Sequence, residues 1–225
     1  MKNLIIMFLL LHNICNSQIK MTWEYYKNLK KADVIIYNEG AKDILLPIDL
    51  KSLKPHFENE CSMIDYEFPY PSFGLTLLVE NEHEKMFGSI HNIEVSGNNN
   101  FNRIVLERQE INNGYLDFIK KWDESNKISD LDFAKKNYYL YNNLVFIKSK
   151  QKIKFQIAVN FDNITNQKYI YYYYPIDWGK KIEVMLSTCI DSDTYNYLTE
   201  RQKQELKKYE FFTGNLRSNI IVLNQ

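Results

Sequence analysis

Few stretches of this chain hold residue types able to do chemistry at a useful spacing. His83-Glu84 opens like the zinc-protease helix H-E-x-x-H, in which two histidines one turn apart hold the metal and the glutamate acts as base. Phe87 stands where the second histidine is required. Glu80, Glu82, His83, Glu84 and His91 include zinc-type donors, but no regular element fixes them together, so a solvated turn between strands is expected. Asp191-Ser192-Asp193 starts like a calcium loop, yet Asn196 replaces its glycine and Gln202 its closing glutamate. It reads as a strand-to-helix turn. His56 and Cys61 suit a base and a thiol nucleophile, and equally a structural cysteine beside a surface histidine. With seven glycines and no Walker, dinucleotide or G-x-S-x-G pattern, a phosphate-cradling loop has little to be built from. The expectation is a protein with no catalytic residue, no metal and no cofactor.

The remaining chemistry-bearing feature is aromatic. Tyr169 and the run Tyr171 to Tyr174 lie in a β-branched and aromatic stretch, 168–174, that reads as a strand. Ile170 and Ile176 share parity with Tyr172 and Tyr174, so if those face a core, Tyr169, Tyr171 and Tyr173 face away. These three form a candidate ligand-binding face, since flat aromatic rows stack on sugars or bury against proteins. The competing expectation is that the rings are core, some of them beneath a helical insertion. The chain also has 24 Lys against four Arg, and 25 Asn; Lys, Asn, Tyr and Ile share AT-rich codons, so genome bias accounts for part of the tyrosine richness.

Residues 1–11 (MKNLIIMFLLL) have one lysine before an apolar run that is too short to span a bilayer and suits the h-region of a signal peptide. Cleavage is expected after residue 17, so that 18–225 is exported, to the periplasm or beyond, without an integral membrane segment. Two cysteines then remain, Cys61 and Cys189, either bridged or as buried thiols, in a compartment where disulfides persist. Formal net charge is zero with Lys and Glu interspersed, which argues against a nucleic-acid partner.

Positioning falls to an all-β-dominated chain. At 151–161 (QKIKFQIAVNF) apolar Ile153, Phe155, Ile157, Val159 and Phe161 alternate with mostly polar residues, a half-buried strand. It is expected to form an antiparallel hairpin with 168–174, and 182–190 extends this to a three-strand meander. Stretches 33–37 (DVIIY) and 44–50 (ILLPIDL), joined through Asn38 and Gly40, predict a first hairpin, with Pro47 on an edge strand or at a bulge. Residues 19–31 show no clean period. A strand is expected at 74–82, weaker ones at 63–68, 90–96 and 103–108, and a turn at 97–100. At 114–143 the period turns helical, with Tyr115, Phe118, Ile119 and Trp122 on one face and Ser129 and Asp132 as a capping signal for a second helix. Thr199 and Gln202 predict a capping box for a helix to about residue 209, and 219–223 a last strand. The sum is an antiparallel two-sheet sandwich, one domain over 18–225, with a helical insertion at 114–143 and one helix near the C-terminus.

The leader ending Asn16-Ser17-Gln18, Asn38 with Leu46-Pro47-Ile48-Asp49, Phe212-Thr213-Gly214, and Ser218-Asn219 resemble exported immunoglobulin-like β-sandwich proteins of the Bacteroidota. The resemblance implies an immunoglobulin-like fold and an exported location, and no catalytic residue. The expected function is a non-catalytic binding or interaction protein with a protein or glycan partner. The alternatives are an envelope immunity or inhibitor protein and a glycan-binding module using the tyrosine face.

Overall fold

The computed structural model describes residues 19–57, 61, 73–92, 98–164 and 170–223. The leader, stretch 63–68 and Tyr169 lie outside these. The architecture is strand-rich, with several sheets and a few helices. Its first strand, β1 (Ile19–Tyr26), is the one for which no period was expected, yet Ile19, Met21 and Trp23 are buried in alternation with exposed Lys20, Thr22 and Glu24. β1 pairs antiparallel with β2 (Lys31–Asn38), and β2 with β9 (Lys152–Ala158). β5 (Gly74–Asn81) and β11 (Ile182–Ile190) pair at the centre of a six-stranded sheet. That sheet also holds β4 (Asp49–Pro55), β6 (Glu84–Met86), β13 (Gly214–Arg217) and β14 (Ile221–Leu223). β3 (Ile44–Pro47) lies between β8 (Leu144–Ile147) and β12 (Glu210–Phe211), and β7 (Ser89–Asn92) pairs with β10 (Ile170–Tyr173).

One apolar cluster joins these sheets. Met21, Val34, Ile36 and Ile157 from β1, β2 and β9 meet Leu75, Leu77, Val79, Val184 and Leu186 from β5 and β11. β5 is covered on both faces, since Thr76 and Leu78 are buried along with Leu75 and Leu77. Asn219 closes part of the β1 edge. Its side-chain amide accepts from the Trp23 N–H at 2.9 Å and donates to the Trp23 carbonyl at 3.2 Å, as a neighbouring strand would.

Pairing departs from the expected hairpins. β9 and β10 pair with β2 and β7. The expected hairpin survives only where the chain beyond β9 bonds back, Tyr174 N–H to the Phe161 carbonyl at 3.0 Å and Ile164 N–H to the Tyr172 carbonyl at 2.8 Å. Since β11 pairs with β5, no three-strand meander forms among the described residues. Nor do β2 and β3 form a hairpin: the corner between them carries the chain from one sheet to another. Alternation specifies which face is apolar, and says nothing about which strand lies alongside. β4 with β5 and β12 with β3 are parallel, against the antiparallel expectation. Pro47 sits in the middle strand of its sheet, but as its last residue, beyond the Ile44 and Leu45 positions that β12 matches. Its missing N–H therefore costs no ladder bond there. Gly88, between β6 and β7, brings backbone against Pro55 so closely that an added Cβ would lie 2.3 Å from the proline Cβ.

Helix α1 runs over Asn98–Asn126, replacing the expected turn at 97–100 and strand at 103–108. Ile104 and Val105 suggest a strand, but Glu107, Arg108, Gln109 and Glu110 continue as helix formers, and cooperativity carries the whole segment. Helix α2 (Leu131–Asn142) is capped by Asp130, which accepts from the N–H groups of Asp132 and Phe133, and not through Ser129 as expected. The two pack through Ile119, Ile128 and Ala134, with Tyr115, Trp122 and Tyr138 around them. Asn137, fully buried, accepts from Trp122 Nε1 at 2.8 Å and donates to Gln202 Oε1 at 2.6 Å. This links the insertion to helix α3 (Glu200–Leu206), whose Thr199–Gln202 capping box is present as the sequence predicts. Among the described residues no helix is long and apolar enough to cross a membrane.

Candidate binding groove on the outer sheet face

The inward residues of β1, β2 and β9 fix the direction of the outward ones, because a strand alternates. Registers set the outward residues in cross-strand rows: Lys20, Tyr37 and Lys152; then Thr22, Ile35 and Lys154; then Glu24, Asp33 and Gln156. Tyr37 thus lies between two lysines, with Ile35 two residues along the same strand and, like Tyr37, half-buried.

The end of the face holding Tyr37 is braced by Asn38. Its fully buried amide donates to the carbonyls of Lys42 at 2.8 Å and Ile147 at 3.1 Å, and accepts from the Gly40 N–H at 2.9 Å. The Asn38 N–H also donates to the Gln151 carbonyl at 2.9 Å, and Ser149 Oγ donates to the Gly40 carbonyl at 2.8 Å. The 38–43 corner and the 147–151 turn are therefore clamped together. Lys150, left-handed at φ 59°, reaches back from that turn to the Glu39 carbonyl.

Lys20, Thr22, Ile35, Tyr37, Lys150, Gln151 and Lys152 line an open groove of about 690 Å³, within the ~300–1,000 Å³ of typical ligand pockets. Among the described residues, the one ion pair these three lysines make is Lys20 with Glu39, at 2.9 Å. The adjoining half of the same face is different. Lys154 pairs with Asp33 at 2.8 Å, and Gln156 Nε2 donates to the same carboxylate at 3.0 Å. Those hydrogen bonds, the one from Lys154 foremost, hold the Asp33 carboxyl below its ordinary value. One half of the face is neutralised internally, and the other carries surplus positive charge.

The expected tyrosine face is only partly placed. Tyr171 and Tyr173 lie in β10 opposite His91 and Ser89 of β7, Tyr173 being half-buried, and Tyr169 lies outside the described residues. Tyr172 and Tyr174 are buried, as the parity of Ile170 and Ile176 predicts. The Tyr174 hydroxyl donates to the Leu77 carbonyl and accepts from the His56 N–H at 2.7 Å. The Cys61 and Cys189 sulfurs stand 1.98 Å apart, at disulfide distance, which removes the thiol-nucleophile reading of Cys61 beside His56. Glu82 and His83 occupy a tight turn between β5 and β6, both at positive φ, with Glu82 paired to Lys180 at 2.9 Å. Asp191 caps a 3₁₀ turn, Ser192–Tyr197, by accepting from the Asp193 N–H, the expected strand-to-helix role.

The groove itself escapes the sequence reading except for Lys152, on the polar side of the 151–161 alternation. The signal for Lys20 and Thr22 is the Ile19, Met21, Trp23 alternation. No protein-family model, curated protein or solved structure matches this chain.

Proposed function

We propose that this chain is an exported, non-catalytic binding protein, an immunoglobulin-like β-sandwich that holds an anionic partner on the lysine-rich half of its outer β1–β2–β9 face. The observation that carries this reading is the convergence of Lys20, Lys150 and Lys152 around Tyr37 in one groove, with Glu39 as their single ion-pair partner among the described residues. The lining side chains offer cations, a hydroxyl, an amide and an aromatic ring. The lining includes no carboxylate, histidine or thiol. Export is supported by the lysine-then-apolar leader of residues 1–11.

The test is titration of the protein with dextran sulfate and with neutral dextran, for wild type and the double variant Lys150→Glu, Lys152→Glu. The wild type is expected to bind the sulfated polymer alone, more weakly as salt is raised, and the variant to lose binding. Equal binding by wild type and variant, or no binding of dextran sulfate, contradicts the proposal.

A further inference from the structure

We infer that the anionic partner is the interior of an acidic polysaccharide chain, with one uronate ring lying on Tyr37 and carboxylates of the chain meeting Lys152 on one side and Lys20 on the other. This inference rests on the binding reading above and narrows it. The row Lys20, Tyr37, Lys152 runs across the strands, and adjacent strands are about 4.8 Å apart. Two cations therefore flank one aromatic ring on a line perpendicular to β2. A ligand that matches this row needs a flat apolar face over the ring and negative charge to either side of it. A pyranose presents C–H groups on its face and, as a uronate, a carboxylate at its rim, and repeats both features along the polymer.

The groove is open and its floor is the sheet itself, so it suits the middle of a chain more than an enclosed small anion. Gln151 and Thr22, at its margin, can hydrogen-bond sugar hydroxyls and water. Other polyanions fit less well. A protein partner would favour aromatic and arginine anchors, and lysine is depleted in the desolvated centre of such interfaces. Nucleic acid calls for a longer basic stripe, whereas here Lys154 of the next row is already paired with Asp33 of the row beyond. An anionic membrane calls for apolar side chains at the rim, where Thr22 and Gln151 stand.

The experiment titrates the full chain calorimetrically with decagalacturonate, with the same oligomer fully methyl-esterified, and with decaglutamate, in calcium-free buffer. Single-stranded DNA and phosphatidylglycerol vesicles are the controls for other polyanions. Decagalacturonate should bind, while the ester, which keeps the rings and loses the charge, and decaglutamate, which keeps the charge and lacks the rings, should each bind about tenfold more weakly, a difference of ~1.4 kcal/mol. Tyr37→Ala should weaken decagalacturonate binding by about tenfold and leave decaglutamate binding unchanged, while Tyr37→Phe, keeping the ring, restores the wild-type value. Unchanged thermal unfolding of both variants confirms that the loss is local. If decaglutamate, DNA or vesicles bind as tightly as decagalacturonate, or Tyr37→Ala has no effect, the sugar assignment is overturned while the anionic-partner reading stands. If no polyanion binds, both fall.

Discussion

The two halves of the outer β1–β2–β9 face are built from the same strands and each has a lysine paired with a carboxylate, yet they resolve their charge in opposite ways. In the half with Asp33, Lys154 meets a carboxylate at 2.8 Å that Gln156 also serves. In the half with Tyr37, the Glu39 carboxylate pairs with Lys20 and its carbonyl accepts from Lys150, while Lys152 makes no ion pair among the described residues. Exposed pairs contribute little to stability, about 0–1 kcal/mol each, so the difference does not matter much to folding. It matters to what the surface attracts. A chain with zero formal net charge can still present a local cationic field, because cross-strand register, not position in sequence, decides which charges cancel.

The largest effect that would break this comparison comes from beneath the face. Asn38→Ala removes the amide that serves the Lys42 and Ile147 carbonyls and the Gly40 N–H, at an expected cost of about 2–4 kcal/mol in chemical denaturation. It should also release the 147–151 turn and weaken anion binding, with no new lesion in the Asp33 half. If Asn38→Ala is as stable as wild type, the clamp does not hold the groove in shape.

Two carboxylate variants sharpen the contrast on a smaller scale. Glu39→Gln leaves Lys20 without its partner and should raise affinity for dextran sulfate about threefold, as expected for release of a modest exposed pair. Asp33→Asn frees Lys154 one row away and should give a smaller gain, about twofold or less. A fall in affinity for either variant would mean that the acids help to hold the ligand.

The smallest effect is electrostatic and local. The Asp33 carboxyl titrates below its ordinary value because Lys154 and then Gln156 hydrogen-bond to its charged form. Its folded pKa is depressed, so the stability it contributes is present above the unfolded value of about 3.9 and is lost as pH falls through the folded one. Carboxyl-detected NMR should place Asp33 low in wild type and back towards about 3.9 in Lys154→Ala. An unmoved Asp33 would show that the pair is not formed in solution.

Much of the strand content was legible from alternation: the apolar side of β9 and the Ile182, Val184 and Leu186 side of β11 follow from side-chain parity, and the Thr199–Gln202 cap from local hydrogen-bond chemistry, whereas the burial of β5 on both faces does not. Partners were not legible. Nothing in the spacing of β9 and β10 signals that they pair with β2 and β7, since loop length permits a hairpin without requiring it. The groove depends on such pairings, joining Lys20 to Lys152 across Tyr37, residues that no local window contains together. Tyr172 and Tyr174 show the reverse case, in which parity alone placed both rings in the interior.

The most direct test of the central claim is amide chemical-shift mapping of the protein during titration with decagalacturonate. The perturbed amides are expected to be those of Lys20, Thr22, Tyr37, Lys150, Gln151 and Lys152, with Glu24, Asp33 and Gln156 in the paired half unmoved. Perturbations centred instead on Tyr171 and Tyr173 of β10, or spread evenly over both halves of the face, would contradict it.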